Sequence, residues 1–129
     1  MRDLVRQALR MRPDRVVVGE VRGGEVVDLL AALNTGHEGG CGTVHANSAA
    51  DIPARLESLA LPAGLNRDGL HAQVAAGLHA VVHVTRGADG SRRVAGVAVM
   101  ERVDGLVRTV PAVVFRGDAV ISGPGRDRL

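Results

Sequence analysis

Arg15-Val16-Val17-Val18-Gly19-Glu20-Val21-Arg22-Gly23-Gly24 is the stretch on which the fold of this chain turns. Three consecutive valines leave no polar alternation, so they predict a short strand covered on both faces, as in the middle of a parallel sheet. A glycine and a carboxylate follow at once, and Gly23-Gly24 separates the strand from the next element. Upstream, Leu4, Val5, Ala8 and Leu9 recur at helical spacing over Arg2 to Met11. Arg2, Arg6 and Arg10 form a stripe on another face of that helix, read as solvated. Pro13 stops the helix, because the residue before a proline is pushed out of the helical region. Downstream, Val26, Leu29, Leu30 and Leu33 predict a helix over Glu25 to Asn34. Glu25 and Asp28 sit in its first turn, where the helix dipole favours negative charge.

A glycine-dense loop, Thr35 to Gly40, leads to a second short strand at Gly42 to Val44, ending at His45. Asn47 and Ser48 are candidate caps for a helix over Ala50 to Leu59. Pro53 falls in its first turn, where proline is tolerated. Helix and strand therefore alternate through residues 1–61, the rhythm of an α/β layer with a parallel sheet. The rhythm then changes. A helix over Asp68 to His79 precedes β-rich segments at Ala80 to Arg86, Arg92 to Arg102, Leu106 to Val110 and Ala112 to Phe115. Ala88-Asp89-Gly90 and Asp104-Gly105 join them, and Asp-Gly is a hairpin signal. Residues 62–116 are thus expected to form a helix plus antiparallel hairpins, and 117–129 a flexible tail.

The chain has 129 residues and a mass of 13.4 kDa, one modest domain or a piece of a larger one. With 46% hydrophobic and 23% charged residues it is not a disordered segment. No run approaches the roughly 20 apolar residues of a membrane span, and no signal-peptide core opens the chain, so a soluble, cytoplasmic protein is expected. The single cysteine, Cys41, has no internal partner, which fits a reducing compartment. All 16 basic residues are arginine and Phe115 is the lone aromatic. A formal charge of +2 and the lack of aromatic stacking platforms argue against nucleic-acid binding.

In open α/β sheets, ligands bind beyond the carboxyl ends of the strands. Glu20 leaves the first strand there and His45 the second. If the strands are neighbours, a carboxylate able to orient water and an imidazole able to reach a phosphate oxygen converge. A glutamate in that position more often merely caps a loop, so Glu20 alone carries little. His37, Cys41 and His45, beside Glu38, have a spacing that invites zinc. Gly36, Gly39, Gly40 and Gly42 disfavour the helix such a site would need, and ordinary roles are expected instead. His71, His79 and His83 are scattered and read as polar or capping residues.

Taken as strings, Leu9 through Glu25 resembles the Walker B region of the type II and type IV secretion ATPase superfamily. Asn34 through Ser48, Asn-Thr-Gly-His-Glu-Gly-Gly-Cys-Gly-Thr-Val-His-Ala-Asn-Ser, resembles that superfamily's histidine box. Arg86 through Arg93 resembles the downstream hairpin of the Flp/tad pilus-assembly, CpaF-type branch. The resemblance spans Val5 to Arg102. It implies a partial RecA-like three-layer core within a hexameric ATPase. That motor drives pilus assembly or export at the inner membrane, beside platform proteins, with ATP and magnesium as cofactors. Carried over residue by residue, Glu20 matches the Walker B glutamate, catalytic and holding magnesium through water. His45, Arg22 and His37 match positions expected near the nucleotide.

The family's phosphate loop, G-x-x-x-x-G-K-[ST], is missing, and the chain has no lysine at all. That loop supplies the N–H cradle and the cation for the phosphates. The chain is therefore expected to be the carboxyl-terminal part of a longer ATPase, inactive alone. A non-catalytic assembly or regulatory module docking on intact subunits is the alternative.

Overall fold

The computed structural model describes residues 1–36 and 39–129. Helix α1 (Arg2–Arg10) is followed by strand β1 (Val17–Val18), helix α2 (Glu25–Leu33) and strand β2 (Cys41–Gly42). A 3-10 turn at Ala49–Asp51 runs into α3 (Ile52–Ala60), and a second, Leu61–Ala63, closes at Gly64 with φ of 94°. Helix α4 (Arg67–Gly77) begins where the Asn66 side chain accepts the Gly69 N–H at 2.7 Å, satisfying one of the donors a helix start leaves open.

β1 and β2 pair in parallel, Val17 opposite Cys41 and Val18 opposite Gly42. The ladder continues past the strand ends, with Thr43 N–H donating to Val18 and Val21 N–H donating to Thr43. The expected cover on both faces is found on one only. Val16 and Val18 are buried against α2 and α3, whereas Val17 is 69% exposed. Side chains alternate across a strand, so in a two-stranded sheet with helices on one side the middle valine of the run faces out.

The second half is a four-stranded antiparallel sheet in the order β3 (Ala80–Arg86), β4 (Arg92–Val103), β5 (Leu106–Arg116), β6 (Ala119–Ser122). The β4–β5 turn is the two-residue Asp104-Gly105 loop, both residues with positive φ, 51° and 83°. Those angles match the primed hairpin turn whose twist suits paired strands. Pro111, expected to divide two segments, lies inside one continuous β5. A register shift there sets Val97 opposite Val113 but Ala98 opposite Pro111, leaving Ala112 as the extra residue, fully buried. A bulge is where a strand accommodates a residue that has no N–H to donate.

The segment expected to fray carries β6, paired to β5 over Val113 to Arg116. Gly123 and Gly125 then donate to the carbonyls of Ala112 and Pro111. The bulge has turned those carbonyls outward, so it gives the end of the chain something to bond. One apolar core joins the two halves: Val18, Val21, Val26, Leu30, Leu56, Leu70 and Val74 pack with Val107 of β5. The outcome is a mixed helix and sheet fold, a parallel pair with its helices followed by an antiparallel sheet, as the sequence predicts.

Candidate functional site

Because β1 and β2 are parallel and adjacent, both leave the sheet at the same end. Glu20 and His45 meet there, with His45 Nε2 2.7 Å from Glu20 Oε1. Arg22, two residues past Glu20, brings its Nε to 2.6 Å from the same oxygen. Oε1 is shielded from solvent, and neither N–H is aimed at it as a directed hydrogen bond, so the carboxylate is held by the charge of Arg22 with the His45 ring in close contact. The Arg22 guanidinium, followed by the nearby His45, outweighs partial burial and holds the Glu20 carboxyl below the usual glutamate range. Glu20 is ionised at neutral pH. His45 and Arg22 are open to solvent, their side chains 74% and 75% exposed.

The loop behind this triad is fastened by Glu25, which the sequence suggests only as a dipole partner. Its carboxylate turns back to accept the Arg22 N–H at 2.7 Å and the Gly23 N–H at 3.1 Å. Burial alone pushes its pKa up, but those backbone donors prevail and hold it below the usual value. A carboxylate that reaches back to N–H groups two and three residues earlier fixes where Arg22 leaves the chain. The acid at the helix start was legible. That it folds over Gly23-Gly24 was not, since the path of a glycine pair is set by its surroundings.

Arg2 and Arg6, read as a solvated stripe, converge on Asp28 of α2 at 2.7 and 2.9 Å and pin α1 to α2. Their spacing on one helix face was the signal, but a stripe does not reveal its partner. Cys41 is exposed, and among the described residues no group of three His, Cys, Asp or Glu side chains gathers as a metal site. His37, assigned beside the nucleotide, and Glu38 lie outside the described residues. Two concavities meet at His45. One is an apolar cleft of about 650 Å³ between β2 and β3, lined by Val21, Leu29, Val44 and Val81. The other is a polar pocket of about 500 Å³ at the start of α3.

Known proteins resemble this chain in sequence and in fold. Residues 1–114 match the family described as type II/IV secretion system protein. A putative conjugal transfer protein of Mycobacterium tuberculosis (strain H37Rv) is 61% identical over 110 residues, 85% of this chain and 31% of that protein. The probable conjugal transfer protein TrbB of Sinorhizobium fredii is 40% identical over 102 residues, 79% of this chain and 30% of its own length. The type IV secretion system protein PtlH of Bordetella pertussis is 53% identical over 47 residues, 36% of this chain and 14% of that protein. Among solved structures, the VirB11 ATPase of the Brucella suis type IV secretion system, in complex with sulphate, superposes with a TM-score of 0.67 at 29% identity. The match covers 75% of this chain and 32% of that one. The chain spans about a third of the length of the first two curated relatives. It belongs to the type II/IV secretion system protein family.

Proposed function

We propose that this chain is the Walker B and histidine-box portion of a hexameric motor ATPase that couples ATP hydrolysis to pilus assembly or protein export, of the Flp/tad, CpaF-type branch. The observation behind this is the meeting of Glu20 and His45, 2.7 Å apart, where adjacent parallel strands end. Nucleotides are bound at that end of α/β sheets. In this role Glu20 orients the attacking water as an ionised carboxylate. His45, held against it, carries the state of the γ-phosphate to the strand ends, and Arg22 and His37 sit on the nucleotide side. The relatives' names, conjugal transfer and type IV secretion, support a translocating assembly as the machine served.

A lone carboxylate fits a hard cation that keeps most of its own waters, which describes magnesium better than a metal needing a closed protein cage. Glu20 would hold magnesium through water, and the ion, when bound, offsets charge on the phosphates. The lysine and N–H cradle of a phosphate loop are assigned to the rest of a longer protein, since this sequence contains no lysine. The apolar cleft between β2 and β3 supports an incomplete core in this chain taken alone. Operation is assigned to the cytoplasmic face of the inner membrane, against platform proteins and without nucleic acid. Among the described residues no helix is long and apolar enough to cross a membrane. The same lack of lysine favours a second reading, a non-catalytic module docking on intact subunits.

The test is Glu20→Gln in the longer protein, with ATP binding and single-turnover hydrolysis measured separately. The expected loss in kcat is roughly 10²- to 10⁴-fold, the range of a positioned acid–base group, with ATP affinity little changed. Collapsed binding with an unchanged bound-state rate would mean that Glu20 serves nucleotide binding and not the hydrolysis step, and would overturn its role toward the attacking water. Native mass spectrometry of the same protein tests the hexamer.

A further inference from the structure

Arg55 is at odds with the other arginines. Of the 16, only Arg2 and Arg55 are partly buried, the others being exposed. Arg2 is paired with Asp28 at 2.7 Å. Arg55 has no carboxylate within ion-pair distance among the described residues. Its Nε is shielded from solvent without a hydrogen-bond partner, and its Nη1 reaches only Ser58 Oγ at a long 3.5 Å. A guanidinium drawn out of water with unused N–H groups is costly unless an acceptor arrives to meet them.

Arg55 lines the polar pocket at the start of α3 together with His45, Asn47 and Asp51. His45 is the same side chain that contacts Glu20, so this pocket and the Glu20 triad share a wall. Pocket volume, about 500 Å³, is ample for a tetrahedral oxyanion with its waters. The donors suit one: a planar guanidinium that matches phosphate oxygens two at a time and a side-chain amide, with the His45 ring as the shared wall. Asp51 opposes an anion, but it is exposed and its Oδ2 accepts from Ser48 Oγ at 2.8 Å, which draws its charge to the rim.

We propose that Arg55 holds a phosphate group in the pocket it shares with His45 and Asn47. This rests on the nucleotide reading of the Glu20 site and adds to it a second residue on the far side of His45. A phosphoryl group there places His45 between Glu20, which faces the water, and Arg55, which faces the phosphate oxygens. Movement of the phosphate is then felt at both.

The probe is inorganic phosphate, titrated at constant ionic strength into the ¹⁵N-labelled chain, with the arginine Nε–Hε resonances followed. The expected result is a saturating shift of the Arg55 Hε signal, with a Kd that rises roughly 10- to 100-fold in Arg55→Gln, the worth of a charge-assisted bond. Arg55→Lys recovers part of that loss by keeping the charge without the fork. Asp51→Asn tightens binding by about two- to fivefold, as removal of an exposed like charge should. An Arg55 Hε signal that does not move, or phosphate binding unchanged in Arg55→Gln, overturns the proposal. Weaker binding in Asp51→Asn does so too, because it marks the pocket as a cation site. No hydrolysis is needed for any of these readouts. If Glu20→Gln leaves hydrolysis untouched in the longer protein, the nucleotide reading fails by itself while phosphate binding at Arg55 is judged separately.

Discussion

Val107 donates its backbone N–H to Nδ1 of His71 across 2.9 Å, in the buried interior where β5 meets α4. With Nδ1 accepting, the proton of the neutral ring is on Nε2, which lies 2.8 Å from Glu57 Oε1 of α3. One imidazole, 3% exposed, therefore ties α3, α4 and the antiparallel sheet. His71→Ala strands the Val107 N–H, removes a donor from Glu57 and opens a cavity. The expected cost is about 2–4 kcal/mol by urea unfolding. A loss under about 1 kcal/mol would mean that water replaces the ring and that the joint lies elsewhere.

Acid should loosen the helical half through two carboxylates. Glu57 is held below its ordinary pKa by the His71 hydrogen bond first, then Arg67. At Asp28 burial pushes upward, but hydrogen bonds and charge from Arg2 and Arg6 prevail and the shift is downward. A depressed folded pKa contributes stability above the unfolded value, about 4 for these groups, and loses it as pH falls through the folded value. The urea midpoint is expected to change little on account of these two groups from pH 7 to about 5 and to drop below about 4. In Asp28→Asn the drop should be shallower, and an identical pH profile in that variant would remove Asp28 from the account.

The Asp104-Gly105 turn sets the register of the β4–β5 hairpin. Gly105→Ala forces a side chain into φ near 83° and should cost about 1 kcal/mol. Amide exchange at Val103 and Leu106, the pair that closes the hairpin, is the local readout and should quicken. Unchanged protection there would show that the strands beyond hold the register without the turn.

This chain by itself should not hydrolyse ATP above background, since no lysine is available to a phosphate loop. A magnesium-dependent turnover that survives repurification and disappears in Glu20→Gln would refute the division of labour proposed above.

Much of the fold is legible in the residues because it is local. Helices α1, α2 and α4 lie within a few residues of their apolar periodicity, and β3 spans the Ala80 to Arg86 run. The β4–β5 hairpin was written in its Asp-Gly pair. The continuity of β5 through Pro111 was not, because a bulge forms only when a partner strand is present to be out of step with. β6 has the same cause: its partners are β5 and the carbonyls of Pro111 and Ala112, distant from anything its own residues announce.

At the candidate site, the order and spacing of residues along the chain suffice to place Glu20 and His45 where the two short strands end. Their approach to 2.7 Å, the sharing of that oxygen by Arg22, and the fastening of the loop by Glu25 come from the packing of distant segments. The same packing lets Arg2 and Arg6 grip Asp28 while Arg55, beside its pocket, meets no carboxylate at ion-pair distance among the described residues. Periodicity and turn chemistry act between near neighbours, whereas pairing of charges depends on which helices and strands the apolar core brings together, and the side chains that pair carry no mark of their partners.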